Sequence, residues 1–184
     1  MITRLVFAGY GGQGVILAGK LMATAAMQLG KHVSHIPSYG VEMRGGTANC
    51  SVVVSDEEIP SPLVFHPDIA CVFNEPSLAK FGPLVRKGGL LFYNVSLISD
   101  PPAFDGVTTI PVPANALSGE LGSYKAANMV MLGALVARVS ELATLDALKA
   151  ALVPATSASK KHLLELNERA LDAGYKVIQA GSAA

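Results

Sequence analysis

The sequence predicts a single α/β domain with a mostly parallel β-sheet covered by helices on both faces. Three observations support this prediction. Short apolar segments alternate with longer helical segments along the 184 residues, which is the pattern of a largely parallel sheet. Hydrophobic residues make up 51% of the chain and charged residues 15%, so the chain can fill one core. A glycine-rich segment separates the first apolar segment from the first helical one. We expect the domain to span residues 1–179 and residues 180–184 to form a disordered tail.

The first elements predict a β-α-β unit. Thr3–Ala8 is a compact apolar segment, as in a buried strand. Val15–Leu29 is rich in Ala, Leu and Met and is apolar on nearly all sides, as in a buried helix. His32–Ile36 is a second short strand candidate. We expect the connection between the two strands to be right-handed.

An antiparallel hairpin is expected next. Ala48–Val54 has the composition of a strand, and Ser55–Glu58 is polar, as in a turn. Ile59 is the expected start of a returning edge strand, although the prolines between residues 60 and 67 keep that region irregular. The sheet is therefore predicted to be mostly parallel with an antiparallel hairpin addition.

The second half of the chain continues the alternation. Strands are predicted at Ile69–Asn74, Leu90–Val95 and Val107–Val112, and helices at Ser77–Val85, Tyr124–Val139, Thr144–Leu152 and Ser159–Ala173. The longest uncharged helical run, Ala126–Ala137, is shorter than the roughly 20 residues that a membrane span needs. No signal sequence is evident before the first strand, so we expect a cytoplasmic protein that does not contact a membrane.

Composition and residue spacing exclude several functions. The formal net charge is zero, which gives no basic footprint for a nucleic acid. The two cysteines, Cys50 and Cys71, form no Cys-x-x-Cys pair and are fewer than the four thiolates of an iron–sulfur cluster. We expect both to be buried and unreactive. No nucleophile–base pair and no metal-ligand spacing is evident, so we predict neither catalytic residues nor a metal in this chain.

The glycine-rich segment fits the pattern G-x-G-x-x-G, with Gly9, Gly11 and Gly14 at the pattern positions and Gly12 and Gln13 between them. It lies between a strand and a helix, as in a three-layer Rossmann-like domain. Glycine lets the backbone approach a ligand, and free N–H groups at the start of a helix attract anions. A dinucleotide site needs an acidic residue about 20 positions later, but residues 1–41 contain none. A site for another phosphorylated ligand and a tight turn that only packs the helix both remain consistent with the pattern.

A second motif, Ser38–Thr47, places glycines beside an arginine and a glutamate. Arg44 offers a planar fork for a carboxylate or a phosphate, or it forms a surface ion pair with Glu42. Further along the chain, Lys125 stands at the start of a predicted helix, where a cation opposes the helix dipole unless an anion is bound. Asn128 follows on an otherwise apolar helix and is expected to cap a loop or contact a partner.

Together the motifs indicate a family. The chain resembles, at Gly9–Gly14 (G-Y-G-G-Q-G) and Ser38–Cys50 (S-Y-G-V-E-M-R-G-G-T-A-N-C), the gamma subunit of the pyruvate, 2-oxoglutarate and 2-oxoisovalerate:ferredoxin (acceptor) oxidoreductases. The resemblance continues at Asn74–Leu78, Lys87–Leu91 and Ala126–Ala134, and so covers most of residues 4–140. Val41 departs from the pattern, since many members have proline there.

The resemblance implies a subunit of an enzyme that converts a 2-oxoacid and coenzyme A to acyl-CoA and carbon dioxide while reducing ferredoxin, with 2-oxoglutarate as the favoured 2-oxoacid. Thiamine diphosphate, Mg²⁺ and [4Fe–4S] clusters are expected in the alpha, beta and, where present, ferredoxin-like delta subunits. This chain is then expected to hold no tightly bound cofactor, to be inactive alone, and to self-associate, for example as a homodimer, when isolated. A stand-alone nucleotide-binding regulatory domain and an NAD(P)-dependent reductase are the alternatives.

The resemblance also implies that this chain contributes to the binding of coenzyme A. Coenzyme A carries a pyrophosphate and a 3′-phosphate, which suit an N-terminal region with basic and no acidic residues. The residues expected to contact it lie in the two motifs and at the start of the long apolar helix: Gly9, Gly11, Gly12, Gln13, Gly14, Ser38, Tyr39, Glu42, Arg44, Gly45, Gly46, Lys125 and Asn128.

Overall fold

The computed structural model describes residues 1–38, 47–156 and 158–181, and it confirms an α/β fold with a largely parallel sheet. The strands are β1 (Ile2–Tyr10), β2 (His32–Ser38), β3 (Thr47–Ser55), β4 (Ile69–Val72), β5 (Leu90–Asn94) and β6 (Thr108–Val112). They are ordered β2-β3-β1-β4-β5-β6 across one sheet. β1, β4, β5 and β6 are parallel, whereas β3 runs antiparallel to both β1 and β2.

Helices cover both faces of this sheet. They are α1 (Val15–Gln28), α2 (Glu75–Phe81), α3 (Ala114–Glu120), α4 (Ala127–Arg138), α5 (Leu145–Ala155) and α6 (Leu164–Gly181). Successive residues of β1 point to opposite faces. Leu5 and Phe7 are buried in a large core with α1, α4, α5 and α6, and Val6 and Ala8 are buried in a smaller core with α2. In the described ranges no helix is both long and apolar enough to span a bilayer.

The antiparallel part of the sheet differs from the expected hairpin. β3 is not followed by a returning strand at Ile59; it pairs with β2 on one side and β1 on the other, so the hairpin is β2–β3. The prolines between residues 60 and 67 lack the N–H groups that a strand needs. Cys50, Val52 and Val54 are at most 1% exposed, which suits an interior strand. The two strands of the β-α-β unit are therefore separated by β3.

Two helical segments differ from those predicted around residue 120. α3 was not expected: it follows Pro113 and has 7 residues, too few to show a helical period. The predicted helix Tyr124–Val139 divides into a 3₁₀ turn at Tyr124–Ala126 and α4. Lys125 therefore lies in the turn before the helix and not in the helix itself.

The last helix lies further along the chain than predicted. A 3₁₀ segment occupies Ala158–Leu163, and α6 begins only at Leu164 instead of Ser159. The helix then includes Ala180 and Gly181, which were expected to belong to a disordered tail; residues 182–184 lie outside the described ranges.

Glycines allow α4 and α6 to pack closely against each other. A Cβ atom at Gly133 of α4 would overlap the carbonyl group of Leu171, and one at Gly174 of α6 would overlap the carbonyl group of Val130. The obstacle in both cases is helix backbone, which cannot rotate away as a side chain can. A larger residue at either position would force the two helices apart.

Replacing Gly174 with alanine should therefore lower the free energy of unfolding by about 1–3 kcal/mol. Gly181 of the same helix is a matched control, because a Cβ atom there meets nothing within 4 Å. Gly181→Ala should change the free energy of unfolding by less than about 0.5 kcal/mol. Urea unfolding followed by circular dichroism measures both variants. Equal effects of the two substitutions would contradict the close packing of α4 on α6.

Both cysteines are buried free thiols, as the sequence predicts. Cys50 of β3 and Cys71 of β4 lie on either side of Phe7 of β1, and each is 0% exposed. Burial raises the pKa of the Cys50 thiol to about 12. The pKa of the Cys71 thiol is also raised, mainly by burial and to a smaller extent by the charge that Cys50 would carry when ionised. In the parts of the chain that the structure describes, no group of three His, Cys, Asp or Glu side chains could hold a metal ion.

The buried thiols should resist alkylation in the folded chain. A thiol of an unfolded chain ionises near pH 8.5. The Cys50 thiol has a higher pKa in the folded chain, so its contribution to the stability of the fold is fully present below pH 8.5. That contribution is lost as the pH rises towards 12, because the unfolded chain then releases the proton more readily than the folded one. At pH 8 iodoacetamide should label Cys50 and Cys71 only after denaturation, as measured by intact-protein mass spectrometry. Rapid labelling of either cysteine in the native chain would show that the thiols are accessible.

Candidate anion-binding site

The topology creates a crevice at the carboxyl ends of the parallel strands. α1 carries the chain from β1 to β2 on one side of β1, whereas β4, β5 and β6 are added on the other side. In open α/β sheets ligands bind outside the carboxyl ends of the strands at the point where the strand order reverses. In this sheet that point lies between β1 and β4, which end at Tyr10 and Val72.

The glycine-rich segment forms a tight turn between β1 and α1. Gly12 has φ of 100° and Gly14 has φ of 71°, a left-handed conformation that favours glycine. The Gln13 N–H donates to the Tyr10 carbonyl oxygen at 3.1 Å. The Gln13 side chain also folds back, and its Oε1 accepts from the Tyr10 N–H at 2.6 Å. A Cβ atom at Gly9 would lie 2.6 Å from that Oε1, so Gly9 leaves the room that this side chain occupies.

These contacts fix the orientation of the Gln13 amide. A backbone N–H can only donate, so the atom that faces Tyr10 N must be Oε1 and not Nε2. Asn74, which follows β4, is oriented in the same way: its Oδ1 accepts from the Ser77 N–H at 2.9 Å, and its Nδ2 donates to Gln13 Oε1 at 3.1 Å. Within the described residues no hydrogen bond occupies Gln13 Nε2.

A second amide pair is oriented by the same logic. Asn94, at the end of β5, accepts from the Ser96 N–H through Oδ1 at 3.3 Å. Its Nδ2 consequently donates to Asn115 Oδ1, at 2.7 Å. Asn115 lies on α3, directly after β6, and its Nδ2 has no partner among the residues that the structure describes. Two side-chain amides thus present their N–H₂ ends at the same end of the sheet.

The free donors border a cleft of about 140 Å³. Its described lining consists of Gly12, Gln13, Phe73, Asn115, Tyr124, Lys125 and Ala127. The Gln13 and Asn115 amides and the Lys125 ammonium are donors, and the Tyr124 hydroxyl can donate as well. None of these lining residues is a carboxylate, and Lys125 has no ion-pair partner in the described ranges. The described lining thus offers donors and no carboxylate, a composition that suits an anion.

Asn128 connects the glycine turn to α4. It is 3% exposed, and its Nδ2 donates to the Gly14 carbonyl oxygen at 3.1 Å. A Cβ atom at Gly14 would overlap the Asn128 side chain. The predicted binding residue Asn128 therefore fixes the position of the turn, and its contact with a cofactor stays a prediction.

The two ends of the second sequence motif lie at this end of the sheet. Tyr10, at the end of β1, pairs with Thr47, at the start of β3, and Ser38 ends β2 nearby, paired with Asn49. Ser38 and Thr47, the two ends of the second motif, thus lie at the same end of the sheet as the glycine turn. Five residues expected to contact a ligand lie outside the described ranges: Tyr39, Glu42, Arg44, Gly45 and Gly46.

Sequence reasoning missed part of the cleft. Phe73, Asn115 and Tyr124 line it but were not among the predicted site residues. One signal was present: Asn74 and Asn94 stand where predicted strands end, the usual position of ligand-binding residues in a parallel sheet. Asn115 gave no such signal, because its helix was not predicted.

Comparison with known proteins agrees with this architecture. The sequence profile of the family described as "Pyruvate ferredoxin/flavodoxin oxidoreductase" matches residues 4–177. The ketoisovalerate oxidoreductase subunit VorA of Methanothermobacter marburgensis is 38% identical over 176 residues, which cover 94% of this chain and 36% of VorA. The 2-oxoglutarate synthase subunit KorC of Methanocaldococcus jannaschii is 33% identical over 181 residues, which cover 96% of this chain and 94% of KorC.

Two solved structures share the fold along nearly the whole chain. The gamma subunit of a keto/oxoacid ferredoxin oxidoreductase from Geobacter sulfurreducens superposes with a TM-score of 0.83 and 28% identity, covering 97% of this chain and 99% of that subunit. The 2-oxoglutarate:ferredoxin oxidoreductase from Magnetococcus marinus, solved with 2-oxoglutarate, coenzyme A and succinyl-CoA bound, gives a TM-score of 0.86 and 27% identity, covering 97% of this chain and 31% of that one. The chain thus spans about a third of some relatives and nearly all of others. It belongs to the pyruvate ferredoxin/flavodoxin oxidoreductase family.

Proposed function

We propose that the chain is the gamma-type component of a 2-oxoacid:ferredoxin oxidoreductase and that its cleft binds a phosphate group of coenzyme A. The observation that carries the proposal is that three donor-bearing side chains line the cleft: those of Gln13, Asn115 and Lys125. A phosphate is a pure acceptor with several oxygens, so it can satisfy donors that come from different strands. The similarity to an oxidoreductase solved with coenzyme A bound supports the same ligand.

The role of this chain in the reaction is to bind and position the thiol substrate. Thiamine diphosphate, held by alpha and beta subunits, would supply the decarboxylation chemistry, and [4Fe–4S] clusters in partner subunits would supply the electron-transfer chemistry. The donors of the cleft hold the coenzyme A phosphate, which limits where the rest of the molecule can reach. The hydrogen bond from Asn128 to the Gly14 carbonyl oxygen holds the turn against α4 without help from a ligand.

We propose 2-oxoglutarate as the 2-oxoacid, with 2-oxoisovalerate as the second candidate. KorC, named for 2-oxoglutarate, matches this chain along 94% of its own length. VorA, named for ketoisovalerate, is more identical at 38% but extends far beyond the match. The two candidate 2-oxoacids can be distinguished by measuring ferredoxin reduction by the assembled enzyme with each of them in turn. Binding of a nicotinamide dinucleotide by this cleft is disfavoured, because its described lining offers no carboxylate for the ribose hydroxyls.

Replacing Gly12 with valine should raise the Michaelis constant for coenzyme A in the assembled enzyme. A Cβ atom at Gly12 meets nothing within 4 Å, and Gly12 lines the cleft. A branched side chain there would occupy the approach of the phosphate. We expect an increase of roughly tenfold, corresponding to about 1.4 kcal/mol of binding. Steady-state kinetics at varied coenzyme A measures it, with assembly checked by gel filtration.

Gly30→Val is the matched control. Gly30 has φ of 80° and an equally open environment, so valine causes similar backbone strain there. It follows the far end of α1, about 20 Å from the cleft by the rise of the helix. Gly30→Val should leave the coenzyme A kinetics unchanged. An assembled Gly12→Val enzyme with wild-type coenzyme A kinetics would show that the glycine turn is only structural.

A further inference from the structure

Tyr124 is an exposed aromatic side chain at the rim of the cleft. It lies in the 3₁₀ turn between α3 and α4, lines the cleft, and is 70% exposed. The ring atoms Cδ1, Cε1 and Cζ lie against Gly119. A Cβ atom added at Gly119 would lie only 2.6 Å from Tyr124 Cε1. The turn is fixed by the hydrogen bonds Ser123 N to Ser118 O at 3.0 Å and Ala126 N to Ser123 O at 3.1 Å. The ring is therefore supported on one side and open to solvent elsewhere.

The cleft is too small to enclose a whole coenzyme A molecule. Sites that bury a whole small molecule have volumes of roughly 300–1,000 Å³, whereas this cleft has about 140 Å³. It has room for an anionic group but not for a large ligand. The remainder of a larger ligand must lie across the rim, and the rim carries the Tyr124 ring beside the Lys125 ammonium.

Building on the function proposed above, we propose that Tyr124 is the platform on which the adenine ring of coenzyme A stacks, so that this chain binds the nucleotide end of the molecule. A flat purine ring stacks on an exposed tyrosine face, and the gain is independent of base-specific hydrogen bonds. The adjoining Lys125 and the amide donors take the phosphates of the same nucleotide. The pantetheine end of coenzyme A has a phosphate but no aromatic ring, so the two ends can be told apart by Tyr124.

Calorimetric titration of the full chain tests this proposal with two fragments of coenzyme A. Tyr124→Ala should weaken the binding of adenosine 3′,5′-bisphosphate, and of coenzyme A itself, by roughly tenfold or more. It should leave 4′-phosphopantetheine binding unchanged. Tyr124→Phe keeps the ring and should retain the wild-type affinity for all three ligands. Phe65→Ala is the control, because Phe65 is equally exposed, at 72%, but does not line the cleft.

Tryptophan fluorescence can report directly on contact between residue 124 and the adenine ring, which a purely structural role of Tyr124 would not produce. The chain contains no tryptophan, so Tyr124→Trp places a single fluorophore at the rim. Its emission should be quenched by adenosine 3′,5′-bisphosphate and not by 4′-phosphopantetheine. The emission of Phe65→Trp should respond to neither ligand.

The outcomes separate the inference from the proposed function. A wild-type chain that binds no coenzyme A contradicts the proposed function and this inference with it. A chain that binds coenzyme A with the same affinity after Tyr124→Ala contradicts the inference alone. Equal weakening of both fragments by Tyr124→Ala also contradicts it, because the effect would then not depend on the adenine ring.

Discussion

The hydrogen bond from the Tyr10 N–H to Gln13 Oε1, at 2.6 Å, is the contact on which the site depends. A backbone N–H is always a donor, so this one bond decides which end of the Gln13 amide points inward. The same oxygen also accepts from Asn74, and the N–H₂ end has no hydrogen-bond partner among the residues that the structure describes. Asn94 and Asn115 repeat the arrangement further along the sheet. The donor character of the cleft is thus a consequence of backbone geometry.

The fold brings these residues together through its strand order. Because α1 leaves β1 in the direction opposite to β4, the chain opens a crevice where the two strands end. Position 14, in the turn after β1, needs glycine for two reasons. Its φ of 71° is left-handed, and a side chain there would overlap Asn128. A substitution at Gly14 would therefore disturb both the turn and its connection to α4. The glycines of the turn differ in role, since a side chain at Gly12 would meet only open space.

Much of the fold was predictable because it depends on local patterns. The first strand, the buried helix after it and the glycine turn follow from apolar segments and from residues that tolerate unusual dihedral angles. The position of β3 between β1 and β2 was not predictable in this way, because strand pairing is set by contacts between distant segments. α3 was missed since seven residues do not establish a period.

The site was predictable only in part, for the same reason. The glycine turn and Lys125 were expected to face a ligand, and both line the cleft. The amide network was not foreseen, because its bonds join residues 61 positions apart in Gln13–Asn74 and 21 apart in Asn94–Asn115. No spacing rule relates such positions. Asn128 was singled out as an exception on an apolar helix, and its bond to Gly14 spans 114 positions.

Nuclear magnetic resonance offers the most direct test that free amide donors at this end of the sheet bind an anion. In a titration of ¹⁵N-labelled chain with coenzyme A, the backbone amide of Gly12 and the side-chain N–H₂ groups of Gln13 and Asn115 should show the largest shift changes. The Asn74 side chain, whose amide is already bonded to Gln13, should change less. Saturable shifts confined to residues away from the carboxyl ends of the strands, or no shifts at all, would contradict the account.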